Sequence, residues 1–323
     1  MPRQCSTTQK KAVRQAASAI IEQLEQRQLL TVAIQGGFLI VQGTFGDDTI
    51  VFSLSASDKN NLIIDDNGDK RSFDVRQLAL SVNGIIVDGN SGADTLQVDE
   101  SNGKIKLDFD MFGGPGDDTL IGGSGHDNLL GEADNDSIVG GGGIDRIDGG
   151  DGNDTIEGGG GNDYILGGAG DDSILGGEGA DNIRAGDGFD YVEGNNGNDI
   201  IDGGNDDDTI FGGNGADYIH GGLGNDSIEG EGGGDVLFGG EGNDTLLGEG
   251  GNDQLFGERG DDDVEGGDGA DSLNGGGGDD SLFGGAGKDR FQLASGNTAD
   301  NIFDFEDGVD SIGKFKILGP RKS

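Results

Sequence analysis

Several residue types are scarce in this 323-residue chain, and each shortage excludes a class of structure or function. Cys5 is the only cysteine, so no disulfide can form within the chain. There is no tryptophan, and no apolar run is long enough to cross a membrane. Only 20 lysines and arginines stand against 63 aspartates and glutamates, and the resulting net charge of −43 argues against nucleic acid as a partner.

The motifs of common catalytic sites are also missing from the sequence. His126 and His220 are the only histidines, and neither belongs to the H-E-x-x-H pattern of zinc proteases. No serine lies in a G-x-S-x-G nucleophile turn, and no lysine lies in a Walker A phosphate loop. Strings of the form G-x-G-x-x-G abound, but in a chain with 71 glycines they carry no information. The sequence therefore predicts that this chain is not an enzyme.

What the chain has instead is a repeat of nine residues. From Gly113 to Gln292 the pattern G-G-x-G-x-D-x-U-x, in which U is a bulky apolar residue, recurs twenty times without insertion or deletion. Position 6 is aspartate and position 8 is apolar in every copy. Position 1 is glycine except at Ala185, and position 4 is glycine except at Asp134 and Asp206. Strict self-similarity of this kind indicates a fold built from stacked repeats.

The residue types of the repeat suit a calcium-binding turn. Glycines at positions 1, 2 and 4 allow positive φ and close backbone approach, so the carbonyl oxygens of positions 1 to 6 can point at one centre. The aspartate at position 6 adds a carboxylate, and Ca²⁺ prefers six to eight oxygen ligands of these two kinds. One turn cannot complete such a shell, so we expect two stacked turns to share each ion. Positions 7 to 9 are expected to form a short strand with position 8 facing the core.

The predicted metal ligands are the carboxylates at position 6 of the twenty repeats. They are Asp118, Asp127, Asp136, Asp145, Asp154, Asp163, Asp172, Asp181, Asp190, Asp199, Asp208, Asp217, Asp226, Asp235, Asp244, Asp253, Asp262, Asp271, Asp280 and Asp289.

The repeat resembles the nonapeptides of the RTX (repeats-in-toxin, haemolysin-type) family of calcium-binding β-rolls, and the resemblance covers 180 of the 323 residues. It implies an all-β fold, a right-handed parallel β-roll (β-solenoid) in which two nonapeptides form one coil and calcium ions lie between successive coils. Twenty repeats then give about ten coils and at most eighteen shared calcium sites. Residues 113–292 carry a net charge of −38, which eighteen divalent cations would nearly neutralise. The alternative is an acidic chain that is soluble and disordered, but disorder does not require aspartate at every sixth position.

The thin core of this region predicts that folding depends on the ion. One inward apolar residue in nine is a small gain to set against the conformational entropy lost on ordering so glycine-rich a chain. The carboxylates stacked along each edge of the roll would repel one another. We therefore expect residues 113–292 to be unfolded without calcium and to fold when calcium binds.

The segments before and after the repeats differ in composition from them. Residues 1–30 form a basic, targeting-like segment without glycine, in which Lys10–Leu30 is predicted to be an amphipathic helix. Leu24–Leu30 resembles the LEPR-xLL segment of bacterial surface and secreted proteins, with Gln26 at the proline position; the alternative is a frayed helix without an address function. Residues 300–312, within the C-terminal β cap predicted over 293–323, resemble the segment that follows β-rolls in type I secretion substrates. This resemblance implies that they cap the roll and that export follows.

Residues 31–112 are predicted to form an irregular β-solenoid that caps the first coil. Two degenerate nonapeptides lie within this range, at residues 43–51 and 89–97, and they place Asp48 and Asp94 at position 6. We expect both aspartates to lack a stacked partner turn, and therefore not to bind calcium tightly.

A further pattern occurs at position 9 of every second repeat. From Val139 onward, this position is alternately an apolar residue and a glutamate. If one coil has 18 residues, the apolar members lie on one outer face about 9–10 Å apart. Duplication of a 36-residue unit would explain this pattern without any function, whereas a lateral self-association of rods would use it. The apolar members are Val139, Leu175, Phe211, Leu247 and Phe283.

These observations predict a secreted, extracellular or cell-surface bacterial protein whose β-roll folds on binding Ca²⁺. One alternative is a structural spacer of an adhesion or matrix protein, and another is the calcium-binding part of a larger secreted enzyme or toxin. A solitary enzyme with its chemistry in residues 31–112 has almost no support from the residues there.

Overall fold

The computed structural model describes residues 31–74, 83–293, 300–306 and 309–313. The predicted N-terminal helix, Cys5 and the LEPR-like segment lie outside these ranges. The described residues form 31 strands and no helix. Accordingly, no helix in the described part of the chain is long and apolar enough to cross a membrane.

The strands form two long sheets that are stacked face to face, sheet A with fifteen strands and sheet B with sixteen. Sheet A contains β1 (Thr31–Gln35), β2 (Phe38–Gln42), β6 (Ile85–Asp88), β8 (Phe109–Pro115), β10 (Asn128–Ala133), β12 (Arg146–Asp151), β14 (Tyr164–Ala169), β16 (Asn182–Asp187), β18 (Ile200–Asn205), β20 (Tyr218–Leu223), β22 (Val236–Glu241), β25 (Gln254–Arg259), β27 (Ser272–Gly277), β29 (Arg290–Gln292) and β31 (Ser311–Gly313).

Sheet B contains β3 (Thr49–Leu54), β4 (Asn61–Asp66), β5 (Asp69–Asp74), β7 (Thr95–Asp99), β9 (Thr119–Gly123), β11 (Ser137–Gly142), β13 (Thr155–Gly160), β15 (Ser173–Glu178), β17 (Tyr191–Asn196), β19 (Thr209–Gly215), β21 (Ser227–Gly233), β23 (Thr245–Leu247), β24 (Gly250–Gly251), β26 (Asp263–Gly269), β28 (Ser281–Gly287) and β30 (Asn301–Ile302).

The repeat region is a parallel solenoid in which each coil gives one strand to each sheet. Neighbouring strands pair in parallel with a step of 18 residues, as in Ile138 with Ile156 and Ile156 with Ile174. One coil is therefore two nonapeptides, which confirms the predicted parallel β-roll. The solenoid has about eleven turns rather than ten, because flanking segments continue the stack beyond the repeats.

The core is a single column of apolar side chains between the two sheets. In all twenty repeats the residue at position 8 is at most 1% exposed, because alternation along each strand turns it inward. The column continues into the N-terminal cap, where Phe52, Phe109 and Met111 join the same cluster.

The strands are longer than the sequence predicted. A typical strand runs over six residues, from position 7 of one repeat to position 3 of the next, as in Thr155–Gly160. Positions 1 to 3 belong to the strand because they also pair with the neighbouring coil, for example Gly159 with Gly177. The turn is therefore confined to positions 4 to 6, whereas positions 1 to 6 were expected to form it.

The two ends of the roll are built differently from its middle. At the N-terminal end, β1 and β2 form an antiparallel hairpin, and β3, β4 and β5 form an antiparallel meander. Residues 31–112 are thus only partly solenoidal. The outermost strand, β5, carries Asp69, Lys70, Arg71 and Asp74, and charged side chains on an edge strand oppose pairing with other chains.

At Gly161, which is at position 4 of its repeat, both conformation and space favour glycine. Gly161 has φ of 146°, and a Cβ on it would overlap the carbonyl oxygen of Gly143 in the preceding coil. Gly160, at position 3, has neither constraint. The two exceptions at position 4, Asp134 and Asp206, both retain a positive φ of 74°.

We therefore expect Gly161→Ala to destabilise the calcium-bound roll by about 2 kcal/mol or more, because a methyl group meets backbone and φ is unfavourable. Gly160→Ala is the matched control and should change stability by less than about 1 kcal/mol. Urea unfolding of both variants in excess calcium measures the difference. Equal stabilities would contradict the close packing of the coils at position 4.

Candidate metal-binding turns

The twenty aspartates at position 6 form two columns, one along each edge of the roll. Each of them is at most 3% exposed. The column that precedes the strands of sheet B consists of Asp118, Asp136, Asp154, Asp172, Asp190, Asp208, Asp226, Asp244, Asp262 and Asp280. The column that precedes the strands of sheet A consists of Asp127, Asp145, Asp163, Asp181, Asp199, Asp217, Asp235, Asp253, Asp271 and Asp289.

One oxygen of each carboxylate links its coil to the coil before. The backbone N–H of Asp154, for example, donates to Oδ1 of Asp172 at 2.8 Å. The same bond joins all eighteen pairs of successive aspartates in the two columns, at 2.8–3.1 Å. A carboxylate that accepts from backbone is fixed in orientation, so the position of its second oxygen is also fixed.

The second oxygen, Oδ2, is buried in all twenty aspartates and has no hydrogen-bond partner. Beside the Cα of Gly113, the space that a Cβ would fill is shared by Oδ2 of Asp118 and the carbonyl oxygen of Gly131, one coil further along. Two oxygens that can only accept thus approach one another with no donor between them. A cation satisfies such an arrangement, and a buried acceptor without one costs about 1–3 kcal/mol or more.

Backbone oxygens surround the same turns. The carbonyl of Gly159, at position 2, abuts the Cα of Gly177, and that of Gly161, at position 4, abuts the Cα of Gly179. Gly177 and Gly179 leave room for these oxygens because neither has a Cβ. The residues other than glycine at position 2 also have a positive φ; they are Glu132, Asn195, Glu231, Glu249 and Glu258. Among the described residues, no group of three or more His, Cys, Asp or Glu side chains converges on one point. A metal shell here would therefore consist of carboxylates completed by carbonyl oxygens, which is the donor set that Ca²⁺ prefers.

Ala185 is the one residue at position 1 that carries a side chain, and it is buried. In the other repeats, a Cβ built at position 1 falls against Oδ2 of the aspartate of the same repeat. The methyl group of Ala185 therefore occupies space beside the carboxylate of Asp190 that the other repeats leave to oxygen atoms.

In the absence of a cation, the buried carboxyl groups at position 6 favour the protonated state. Burial raises the pKa of Asp127 to about 9, those of Asp136 and Asp208 to about 8, and that of Asp172 to about 7. Carboxylates of neighbouring coils add to the rise, and the hydrogen bond from the preceding coil opposes it. Each aspartate thus needs either a proton or a cation to be buried here at low cost.

The expectation that Asp48 and Asp94 lack stacked partner turns is wrong. The N–H of Asp94 donates to Oδ1 of Asp118, and the N–H of Asp48 donates to Oδ1 of Asp94, both at 2.7 Å. Asp94 also has a buried Oδ2 without a hydrogen-bond partner. Sequence reasoning missed it because Asp94 and Asp118 are 24 residues apart instead of 18, yet the six extra residues leave the stacking of the two turns unchanged.

Asp48 is the N-terminal end of the aspartate column that precedes the strands of sheet B, and its second oxygen, unlike those of the repeats, has hydrogen-bond partners. Its Oδ2 accepts hydrogen bonds from the N–H of Thr44 at 2.5 Å and from the Thr44 hydroxyl at 3.0 Å. The column therefore begins with a carboxylate that protein donors already satisfy. At the other end, the N–H of Asp289 donates to Oδ1 of Asp310 at 3.0 Å, so the C-terminal segment continues the second column.

The five apolar residues predicted to share an outer face do lie in one column, on sheet B. Val139 pairs with Glu157 and Glu157 with Leu175, and the alternation continues to Phe283. All five are half-buried rather than exposed, because each lies between neighbouring side chains of the adjacent coils.

The raised pKa values predict how the metal-free roll responds to pH. A carboxyl whose pKa is higher in the folded state stabilises that state fully below about pH 4, and the stabilisation is lost as pH rises through the folded values of about 6 to 9. We therefore expect chelator-treated protein to gain strand structure at pH 5 and to lose it at pH 8. Far-UV circular dichroism measures this, at pH 5 because the isoelectric point of about 4.1 favours precipitation below it. The same spectrum at both pH values would contradict the prediction.

Comparison with known proteins identifies the repeat. The family model for the RTX calcium-binding nonapeptide repeat matches residues 112–147, 139–174, 175–210, 193–228, 203–237, 229–264 and 265–299. No curated protein matches the chain. Among solved structures, the chain is similar to a hyperactive, Ca²⁺-dependent, β-helical antifreeze protein from an Antarctic bacterium, with 22% identity over 71% of this chain and 78% of that chain and a TM-score of 0.35.

The matched residues span more than half of the chain and contain all twenty position-6 aspartates. This protein belongs to the family of RTX calcium-binding nonapeptide repeat proteins, and it is a calcium-binding β-roll.

Proposed function

We propose that this chain is a secreted protein whose roll folds when it binds calcium outside the cell. The observation that supports this most directly is the set of twenty buried Oδ2 atoms without a hydrogen-bond partner. In the absence of a cation, folding at neutral pH buries these carboxylates either charged or protonated, and both states cost free energy. Calcium removes that cost, so its binding and the folding of the roll are coupled.

The proposed location of the protein follows from the calcium concentration that its sites need. Calcium sites that are filled at millimolar concentrations belong to extracellular modules, since the concentration inside cells is far lower. A chain that stays unfolded until it meets such a concentration would be exported in an unfolded form. We therefore propose that the protein functions outside a bacterial cell or on the cell surface. Up to eighteen ions would bind, one for each pair of successive coils in the two aspartate columns.

The role we infer is binding and structure rather than catalysis. About eleven coils spaced about 4.8 Å apart make a rod roughly 50 Å long, with one continuous core. A stiff spacer in an adhesion or matrix protein is the second candidate function, and the uninterrupted stack of coils favours it. The calcium-binding part of a larger secreted enzyme or toxin would use the same roll. Lateral self-association of the rods, through Val139, Leu175, Phe211, Leu247 and Phe283, would suit a matrix.

A calcium titration of chelator-treated protein at pH 7.5 tests the coupling. We expect a cooperative change from coil to strand in the far-UV circular dichroism near millimolar calcium. Magnesium, the control, should have no such effect, because it demands a small octahedral shell and dehydrates reluctantly. A chain that is already strand-rich in excess chelator would show that packing alone holds the roll together.

Asp172→Asn tests the position-6 ligands, with Asp171→Asn as its matched control. Asparagine at 172 keeps an acceptor for the N–H of Asp154 but puts an NH₂ group in place of Oδ2, so we expect at least one fewer calcium ion per chain. Asp171 is exposed, and its Oδ1 accepts from the N–H of Phe189 at 3.0 Å, a bond that asparagine preserves. Calorimetric stoichiometry compares the two variants, which have the same net charge. An equal ion count in both would argue against ligation by Asp172.

A further inference from the structure

The two outer faces of the roll differ in charge. All four arginines of the repeat region and His220 lie on strands of sheet A, at positions that point away from the core. Along the described roll, the outward positions of sheet B contain no lysine, arginine or histidine. They contain the position-9 glutamates, together with Glu231, Glu249 and Asp268. Within residues 113–292, the outer surface of sheet A, called the A face below, is therefore mixed in charge, whereas that of sheet B, the B face, carries only acidic charges.

The charges on both faces recur every second coil. The basic side chains of the A face lie on β12, β16, β20, β25 and β29, which are alternate strands of sheet A. The position-9 glutamates of the B face lie on β13, β17, β21 and β26, which are alternate strands of sheet B. The basic residues are Arg146, Arg184, His220, Arg259 and Arg290, and the acidic residues are Glu157, Glu193, Glu229 and Glu265.

From this match we propose that the A face of one copy docks against the B face of a second copy. Both sets of charges repeat at two strand spacings, about 9.6 Å. Because the two faces point in opposite directions, a copy moved sideways without rotation presents its B face to the A face of its neighbour. Each basic strand precedes an acidic strand by half a coil, so a shift of about 2.4 Å along the rod sets β16 opposite β17 and β25 opposite β26. Arg184 and Glu193 share repeat position 9, whereas Arg259 is at position 3 and is displaced along its strand from Glu265.

Arg184 and Arg259 on the A face are exposed enough to make this contact. The side chains of Arg184 and Arg259 are 61% and 76% exposed. Their present partners, Asp202 and Glu241, are on the same face, and such exposed pairs contribute about 1 kcal/mol or less, so rearrangement costs little.

Apolar side chains lie between the charges on both faces. On the A face, Ile200, Tyr218 and Leu223 are each about half exposed, at 50%, 48% and 49%. On the B face, Phe211 and Leu247 lie between successive glutamates of the column. Contact between the two faces would bury apolar area as well as pair charges, and exposed apolar groups on a face this regular favour association.

The same charges oppose the other way of pairing the rods. Two B faces brought together through their apolar residues would place the acidic column of one copy against that of the other, with no basic side chain on either side. Pairing of A with B avoids this repulsion. It is also heterologous, so that each added copy leaves one A face and one B face free and assembly continues sideways.

The proposal rests on the calcium-folded roll, so its test reports folding and association separately. Sedimentation velocity in calcium should show a mass that rises with wild-type concentration and falls in 1 M salt, where the Debye length is about 3 Å. One variant, Arg184→Glu with Arg259→Glu, reverses the A face. The other, Glu193→Lys with Glu265→Lys, reverses the B face. Each alone should associate at least tenfold more weakly than wild type, and an equimolar mixture should regain association, since each variant then supplies the face that the other needs.

Two further variants separate this mode from the others. Phe45→Lys places a cation and removes an exposed apolar group in the N-terminal cap, outside both faces and outside the metal-binding turns of the repeats, and should associate as wild type does. Phe211→Ser, Leu247→Ser and Phe283→Ser together remove the apolar column of the B face. If this triple variant is monomeric while both charge-reversed variants still associate, the rods pair through two B faces and the proposal is wrong.

A wild-type chain that remains monomeric in calcium, or a mixture that fails to regain association, also overturns the proposal. Circular dichroism of every sample reports whether the roll has folded. A wild-type chain without the calcium-induced transition would count against the proposed function, whereas a folded chain that stays monomeric would count only against the docking of the faces.

Discussion

Every coil of this roll depends on one carboxylate held between two turns. Oδ1 of the position-6 aspartate accepts from the backbone of the preceding coil, and this bond orients the group. Oδ2 is then left buried beside carbonyl oxygens, where only a proton or a cation can satisfy it. A single side chain thus connects neighbouring coils and makes their stacking conditional on an ion.

The other features of the repeat follow from this arrangement. Coils must approach closely enough for the carboxylate to reach its neighbour, and at most repeats the glycine at position 4 removes a Cβ atom that would keep them apart. So much glycine leaves room for one inward apolar residue per repeat, and this residue is fully buried. A core of that size cannot offset the entropy of ordering the chain, which is why the ion carries so much of the stability.

A strict repeat also determines how side chains are arranged on the surface of the roll. Because each coil places one residue of each repeat position on each sheet, any preference in the sequence becomes a straight line of side chains along the rod. On sheet B, glutamate at every second coil keeps like charges about 9.6 Å apart, twice the distance that neighbouring strands would impose. The apolar residues between them are partly covered as a result. The two faces can therefore differ in charge although they are made from the same nonapeptide.

The sequence by itself determined the parts that repeat. A period of nine with aspartate at position 6 and an apolar residue at position 8 leads to the inward column from Leu120 to Phe291 and to stacked carboxylates, and the resemblance to the RTX repeats implies the coil of two nonapeptides. These features could be predicted because the same local geometry recurs in every copy, so that one repeat describes all of them.

Only the tertiary structure determined the arrangement of the segments in which the nine-residue period is interrupted. The 24-residue spacing from Asp94 to Asp118 hides a stacked turn, because a coil can hold six extra residues and still stack on its neighbour. The hydroxyl and N–H of Thr44 close the carboxylate column at Asp48, and antiparallel strands replace the solenoid near the N-terminal end. Each of these depends on contacts between residues distant in sequence, for which a nine-residue pattern contains no information.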